Sequence, residues 1–182
     1  ALTTRGLIAS TIQEVHCLVF GRLLEQQRFN NLTAKELVSV LSCFSNISIP
    51  YDDRMPRPKN IPLNLQVFIE KIQKEYNYFY QIEMDHYLSQ GEQYNMHFEL
   101  CEAMYQWCDA TNEQECKAVY QAVAKKGIFL GEFIKTILKI ANIANEFEKA
   151  CELQCNLTLL DTVKQIPSLI LKSVATNQSL YL

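Results

Sequence analysis

The sequence predicts an all-α fold, a bundle of about eight helices with one long central helix. Three observations carry this. Nearly every periodic segment has helical spacing. No convincing strand and no internal repeat of fixed period is found. Glycine and proline are scarce, at five each, which argues for long elements and few tight hairpins.

The elements follow in chain order. A first helix is expected over about Thr3–Ile12 and a second over about Gln13–Gln27, with Val15, Leu18, Val19 and Leu23 on its inner side. The stretch NNLTAKELVSVLSCF starts a third: Thr33 can cap it, and Glu36, three residues later, completes a capping box. Leu37, Val40, Leu41 and Phe44 supply its buried stripe. From Asn46 to Pro62 lie four of the five prolines amid mixed charge, the signature of a loop. A long amphipathic helix follows over about Leu63–Tyr87, rich in tyrosine, then a turn at SQGEQYN. Further helices are expected at about Met96–Cys108, Asn112–Ala124 and Leu157–Val174, with KKG before Ile128 marking a helix end.

The helix GEFIKTILKIANIANEFEKAC, Gly131–Cys151, is the most informative. At about 100° per residue, Phe133, Ile137, Ile140, Ala144, Phe147 and Cys151 fall on one line. Lys135, Lys139, Asn142, Glu146 and Lys149 fall opposite. Ile134 and Leu138 lie between, on a side that a simple surface helix keeps polar, and imply a second neighbour there. A helix packed on two sides with one polar edge open can line a cleft. Two lysines one turn apart could meet phosphates or bases of a single strand.

Composition narrows the classes. The chain of 182 residues fits one domain or two small halves sharing a core. A net charge of −3 gives no basic excess for bulk binding to nucleic acid or anionic membrane, so any such contact is local. The first residue is Ala1 and not methionine, as expected of an excised or processed chain. The seven cysteines are odd in number and form no CxxC pair, which points to free buried thiols in a reducing compartment. No signal peptide and no run near the ~20 apolar residues of a membrane span is present. The expected location is intracellular, cytoplasmic or nuclear. Sequons at Asn31, Asn46, Asn156 and Asn177 would matter only in a secreted chain.

Several motifs have bland readings that outweigh the chemical ones. QEVH at Gln13–His16 imitates the acid-x-x-His signature of an ATPase, but it falls in an amphipathic helix and begins with glutamine. No glycine-rich phosphate loop exists. His97 and Cys101 at i, i+4 imitate a zinc pair, as do Cys151 and Cys155 sharing a face, but core thiols explain both. Trp107 reads as a core anchor. No nucleophile stands beside a base, and neither a metal nor a cofactor is expected in this chain.

Taken together, RGLIASTI at Arg5–Ile12, FNNLTAKELVSVLSCF at Phe29–Phe44, MYQW at Met104–Trp107, GEFIKTILKI at Gly131–Ile140 and the closing SLYL at Ser179–Leu182 resemble the DSHCT domain. That is the C-terminal helical domain of DExH-box RNA helicases acting with the RNA exosome and in the Ski complex. The resemblance covers essentially all of 1–182 as one domain. It implies a non-catalytic domain that closes the RNA channel against the parent's ATPase core, where ATP and Mg²⁺ would bind. It implies as partners single-stranded RNA, the N-terminal ATPase domains, and exosome or Ski-type cofactors. The long helix is implied to act as a ratchet on the strand. The implied RNA-contacting residues are Lys135, Lys139, Asn142 and Arg22. Lys135 and Lys139 stand where the family usually has arginines, and Arg22 where it usually has an acid. The polar stretch CDATNEQEC after Trp107 and the proline-rich 46–62 loop also depart from the family. The alternative is a helical module that keeps the fold but recruits a protein partner without touching RNA. The two are separated by whether the Lys135–Lys149 edge is open or buried under the chain's own helices.

Overall fold

The computed structural model describes residues 2–88 and 94–172. The expected turn through 89–93, the last helix beyond residue 172, the Asn177 sequon and Ser179–Leu182 lie outside the described residues. Within them are nine α-helices and no strand: α1 (Thr4–Ala9), α2 (Cys17–Glu25), α3 (Ala34–Leu41), α4 (Leu63–Asp85), α5 (Cys101–Asp109), α6 (Glu113–Ala124), α7 (Leu130–Gln154), α8 (Leu157–Lys164) and α9 (Ile166–Ile170). The ninth arises because the last expected helix divides at Gln165, with Pro167 in the first turn of α9.

The 25-residue α7 is the central helix, packing against α1, α2, α3, α6, α8 and α9. Its predicted inner line, Phe133, Ile137, Ile140, Ala144, Phe147 and Cys151, is buried throughout. Burying each large side chain there contributes roughly 1.5–3 kcal/mol. Phe147 meets the rings of Phe20 and Phe29 at 5.9 and 5.2 Å between centroids. Phe133 meets Trp107 edge-on at 5.2 Å. Trp107 is fully buried, as expected of an anchor, and its Nε1 donates to the Ile170 carbonyl at 3.0 Å.

The capping box of α3 forms as its sequence dictates. Glu36 N donates to Thr33 Oγ1 at 3.2 Å, and Thr33 N donates to Glu36 Oε2 at 2.9 Å. Gly127, at φ 81°, turns the chain out of α6. The seven thiols are free, and Cys43, Cys101, Cys108, Cys116 and Cys151 are buried.

Four expectations need correction. First, Gln13–Val15 are not helical; α2 begins at Cys17 with His16 as its N-cap, Nδ1 accepting from Val19 N at 3.3 Å. Leu18 consequently faces outward, 46 % exposed. Second, the segment from Met96 runs non-helical to the start of α5, because His97 N donates to the Cys43 carbonyl at 2.8 Å. His97 and Cys101 therefore do not share a helix face. Third, Cys155 sits beyond α7 in a left-handed cap at φ 54°, exposed, and does not share a face with buried Cys151. Fourth, no helix among the described residues fills the second apolar side of α7: Leu138 is 48 % exposed and Ile134 half-buried.

The α1–α2 crossing leaves no room for a side chain at Gly21, where an added Cβ would stand 2.9 Å from Ala9 Cβ. Ala9 is itself buried, so the helices must part to admit more atoms. Gly21→Val is expected to destabilise the domain by about 1–3 kcal/mol. Urea unfolding would report this as a lower midpoint at constant slope; an unchanged midpoint would refute the tight crossing.

Candidate nucleic-acid interface

The polar edge of α7 divides into two parts. Its C-terminal half is occupied by the linker between α1 and α2. Glu146 accepts the backbone N–H groups of Gln13 (3.1 Å) and Glu14 (3.1 and 3.3 Å). Asn142 Nδ2 donates to Glu14 Oε1 at 3.3 Å. A carboxylate receiving two adjacent N–H groups holds them by charge-assisted bonds. The N–H groups of Gln13 and Glu14 are thereby satisfied outside any helix.

The N-terminal half stays open. Lys135 is exposed and Lys139 half-buried, and neither has an ion-pair partner among the described residues. Four other cations are ion-paired: Arg5 with Glu25, Arg22 with Glu75, Lys35 with Asp109 and Lys126 with Glu102. At i, i+4 the two ammonium groups project one turn apart, about 6 Å along the axis. The exposed Leu138 lies between them in sequence.

Arg22 is placed differently. Its Nη1 donates to Glu75 Oε2 at 2.9 Å. Its guanidinium lies 4.8 Å from the Tyr78 ring centroid and 4.9 Å from that of Phe79. It braces α2 against α4, and it does not line the cavity at Lys139. The four candidate residues are thus two open lysines, an amide engaged by Glu14, and an arginine held on α4.

Beside Lys139 a cavity of about 250 Å³ opens between the 13–16 linker, Phe44, Asn46, Tyr76 and Asn95. Sequence reasoning missed it. Its walls come from five separate stretches of the chain, so no spacing announces it.

Four of the buried thiols are held in the protonated form. Burial pushes Cys108 and Cys151 up to about 12 and raises Cys43 and Cys116, and a protonated thiol is a poor ligand or nucleophile. Among the described residues no group of three His, Cys, Asp or Glu could hold a metal ion. No helix there is long and apolar enough to cross a membrane.

The profile of the DSHCT (NUC185) domain matches residues 1–177. The chain belongs to the DSHCT family. No curated protein matches the chain. The DSHCT domain is a non-catalytic helical domain known from DExH-box helicases. In this DSHCT domain the helix that carries GEFIKTILKI is α7, enclosed along its apolar line by the rest of the bundle and open at Lys135 and Leu138.

Two buried histidines tie the DSHCT fold to pH. Burial lowers the pKa of both His16 and His97; Glu83, 3.6 Å from His16, opposes the first shift, and Glu99, 3.9 Å from His97, the second. Their folded values lie below the ordinary ~6.5, so the unfolded chain binds more protons as pH falls. The stability they contribute is complete above about pH 6.5 and is lost as pH falls through the folded values. The melting temperature is expected to drop between about pH 7 and pH 5, and His97→Gln to flatten that drop. Calorimetry across this interval checks it; a flat or rising wild-type curve would sink the assignment.

Proposed function

We propose that this DSHCT domain closes the RNA channel of a DExH-box RNA helicase against that protein's ATPase core, and meets the translocating single strand along the open edge of α7. The observation that carries this is that Lys135 and Lys139 stand one turn apart on the central helix, with no ion-pair partner among the described residues, in a chain of net charge −3. Family membership supplies the motor; the lysines supply a local phosphate contact. Asn142 and Glu14 sit at the end of that edge as a polar neighbour to the strand. Arg22 contributes by bracing α2 on α4. ATP and Mg²⁺ belong to the ATPase core in this reading. Exosome or Ski-type cofactors are the partner class, and the free thiols fit a reducing cytoplasm or nucleus.

One observation favours protein contact at the same edge: Leu138 and Phe129 are 48 % and 76 % exposed. In our reading the ATPase core covers them. In the interaction-module reading a separate protein does, and the lysines rim that contact.

The test replaces both lysines, Lys135→Gln and Lys139→Gln, in the full-length helicase. Helix propensity barely changes, so stability should move by less than ~0.5 kcal/mol. Unwinding should fall while ATP binding is unaffected. The isolated domain should turn over no ATP and bind single-stranded RNA weakly, with a salt slope of roughly −0.7 per neutralised phosphate. Normal unwinding by the folded double variant at physiological salt would remove both residues from the interface. Loss of a protein partner with unwinding intact would favour the interaction module.

A further inference from the structure

The long helix α4 is covered on one side only. Of its 23 residues, Leu65, Ile69, Ile72 and Tyr76 are buried. On its outer face Leu63 and Val67 are 74 % and 42 % exposed. Lys71 and Lys74, both exposed, continue the same stripe at steps of four and three. Beside the stripe a cavity of about 270 Å³ opens between α4 and the end of α2. Its apolar lining is half-buried Phe68 with the buried Leu23 and Ile72, and its rim carries Arg28, Lys71 and Lys74. The turn that ends α2 presents Arg28. Gln27 is left-handed at φ 54°, its N–H donates to the Leu24 carbonyl at 2.9 Å, and Arg28 N donates to that of Leu23 at 3.0 Å. These are the paired bonds of a Schellman end. Arg28 Nε donates to Gln26 Oε1 at 3.2 Å, which leaves both Nη groups without a partner among the described residues. None of the three rim cations is ion-paired among those residues. The acid in the lining, Glu75, is already held by Arg22 at 2.9 Å.

We propose that this groove and stripe dock an acidic amphipathic segment of a partner protein, in which Asp and Glu are interleaved with large apolar residues. One apolar side chain enters the cavity against Phe68, and others cover Leu63 and Val67. At about 270 Å³ the space falls below the roughly 300–1,000 Å³ of pockets for larger organic ligands, and suits a single anchor residue. Carboxylates of the segment meet Arg28, Lys71 and Lys74. Charge complementarity selects their sign: the chain has net charge −3, yet this rim carries three unpaired cations. The Arg28 fork can take a carboxylate in bidentate fashion, and the two lysines steer the approach. From Leu63 to Lys74 the stripe runs about 16 Å along the helix, the reach of three turns of a helical ligand laid against it. The surface belongs to α4 and shares no lining residue with the cavity at Lys139, so the proposal stands apart from strand contact on α7.

Other occupants fit less well. A small anion would satisfy the cations but leave Leu63, Val67 and Phe68 uncovered. A nucleic-acid strand would find no side-chain amide or hydroxyl in the lining to bond its base edges. A second copy of this chain in a two-fold contact would bring the same three cations against each other. A purely apolar segment would desolvate the cations without pairing them. Only a ligand that is both acidic and apolar matches the rim and the stripe together.

The test titrates the whole chain with two fluorescein-labelled peptides, four repeats of Asp-Glu-Leu-Phe and four of Asp-Glu-Ser-Ser, and follows anisotropy. Wild type should bind the first saturably and the second at least about fivefold more weakly. Lys71→Gln/Lys74→Gln should weaken the first by at least about fivefold, and Val67→Ser should weaken it while leaving the second unchanged. All three positions are exposed on a helix surface, so the variants should fold, as matching melting curves would confirm. Lys135→Gln/Lys139→Gln should leave peptide binding as in wild type. No saturable binding of the first peptide overturns the proposal. Equal binding of the two peptides, or unchanged binding in the folded Lys71→Gln/Lys74→Gln variant, overturns it as well. Loss in Lys135→Gln/Lys139→Gln instead moves the contact to α7 and overturns it. A uridine twelve-nucleotide strand that binds where the peptides do not, and is released by Lys71→Gln/Lys74→Gln, gives this face to nucleic acid and overturns the peptide groove.

Discussion

One constraint organises the molecule: a 25-residue helix whose apolar line runs its whole length must be enclosed. No single neighbour can cover it. A 25-residue helix is about 37 Å long, while α1, α2, α3, α8 and α9 are 5–9 residues each. Short helices from both ends of the chain must therefore be laid along it. The aromatic contacts of Phe147 with Phe20 and Phe29, and of Phe133 with Trp107, pin the two halves of the spine to different helices. Each of those rings contributes more, at roughly 1.5–3 kcal/mol, than a half-exposed hydrogen bond at about 1 kcal/mol. Packing therefore selects the arrangement, and the polar bonds along the α7 edge adjust to it.

What was legible in the sequence follows from this. The buried line of α7, the capping box at Thr33 and Glu36, the Trp107 anchor and the free core thiols are local or periodic features, and the structure has them. The breaks were not legible. Gln13–Val15 carries no glycine or proline and continues an apolar period, yet it is pulled out of helix by the Glu146 carboxylate, 132–133 positions away. The segment before α5 is likewise held extended by the Cys43 carbonyl. Both are tertiary hydrogen bonds overriding local propensity. The site was legible only in part, for the same reason. Lys135 and Lys139 are open, but Asn142 answers to Glu14, and Arg22 to Glu75, Tyr78 and Phe79. Nothing in the spacing of either residue marks those partners.

Lysine at the two edge positions has chemical consequences. An ammonium cannot offer the planar fork of a guanidinium, so it binds phosphate as a point charge without a bidentate or stacked geometry. Such contacts are tolerant of strand position and sensitive to salt. On the proposed reading, a domain beside a motor that releases and regains its strand at each step can use weak, unspecific contacts.

Two carboxylates on the α7 edge set which loops stand beside the lysines. Glu132 accepts the Ser48 backbone N–H at 2.8 Å and thereby holds the start of the proline-rich loop. Glu146 holds the α1–α2 linker by Gln13 and Glu14. They are 14 positions apart, about 21 Å along the helix, and Lys135 and Lys139 fall between them. Each loop is further tied on its far side: the first by Met55 N to Glu99 Oε1 at 2.8 Å, the second by the His16 cap on α2. The loops therefore rise as walls on either side of the lysines, while buried Ile47 and Ile49 keep the proline-rich loop seated on the core. A helix with a uniformly basic edge would have left both loops without partners for these N–H groups. Two lysines flanked by acids along one edge let the same helix anchor its own loops and still present positive charge between them.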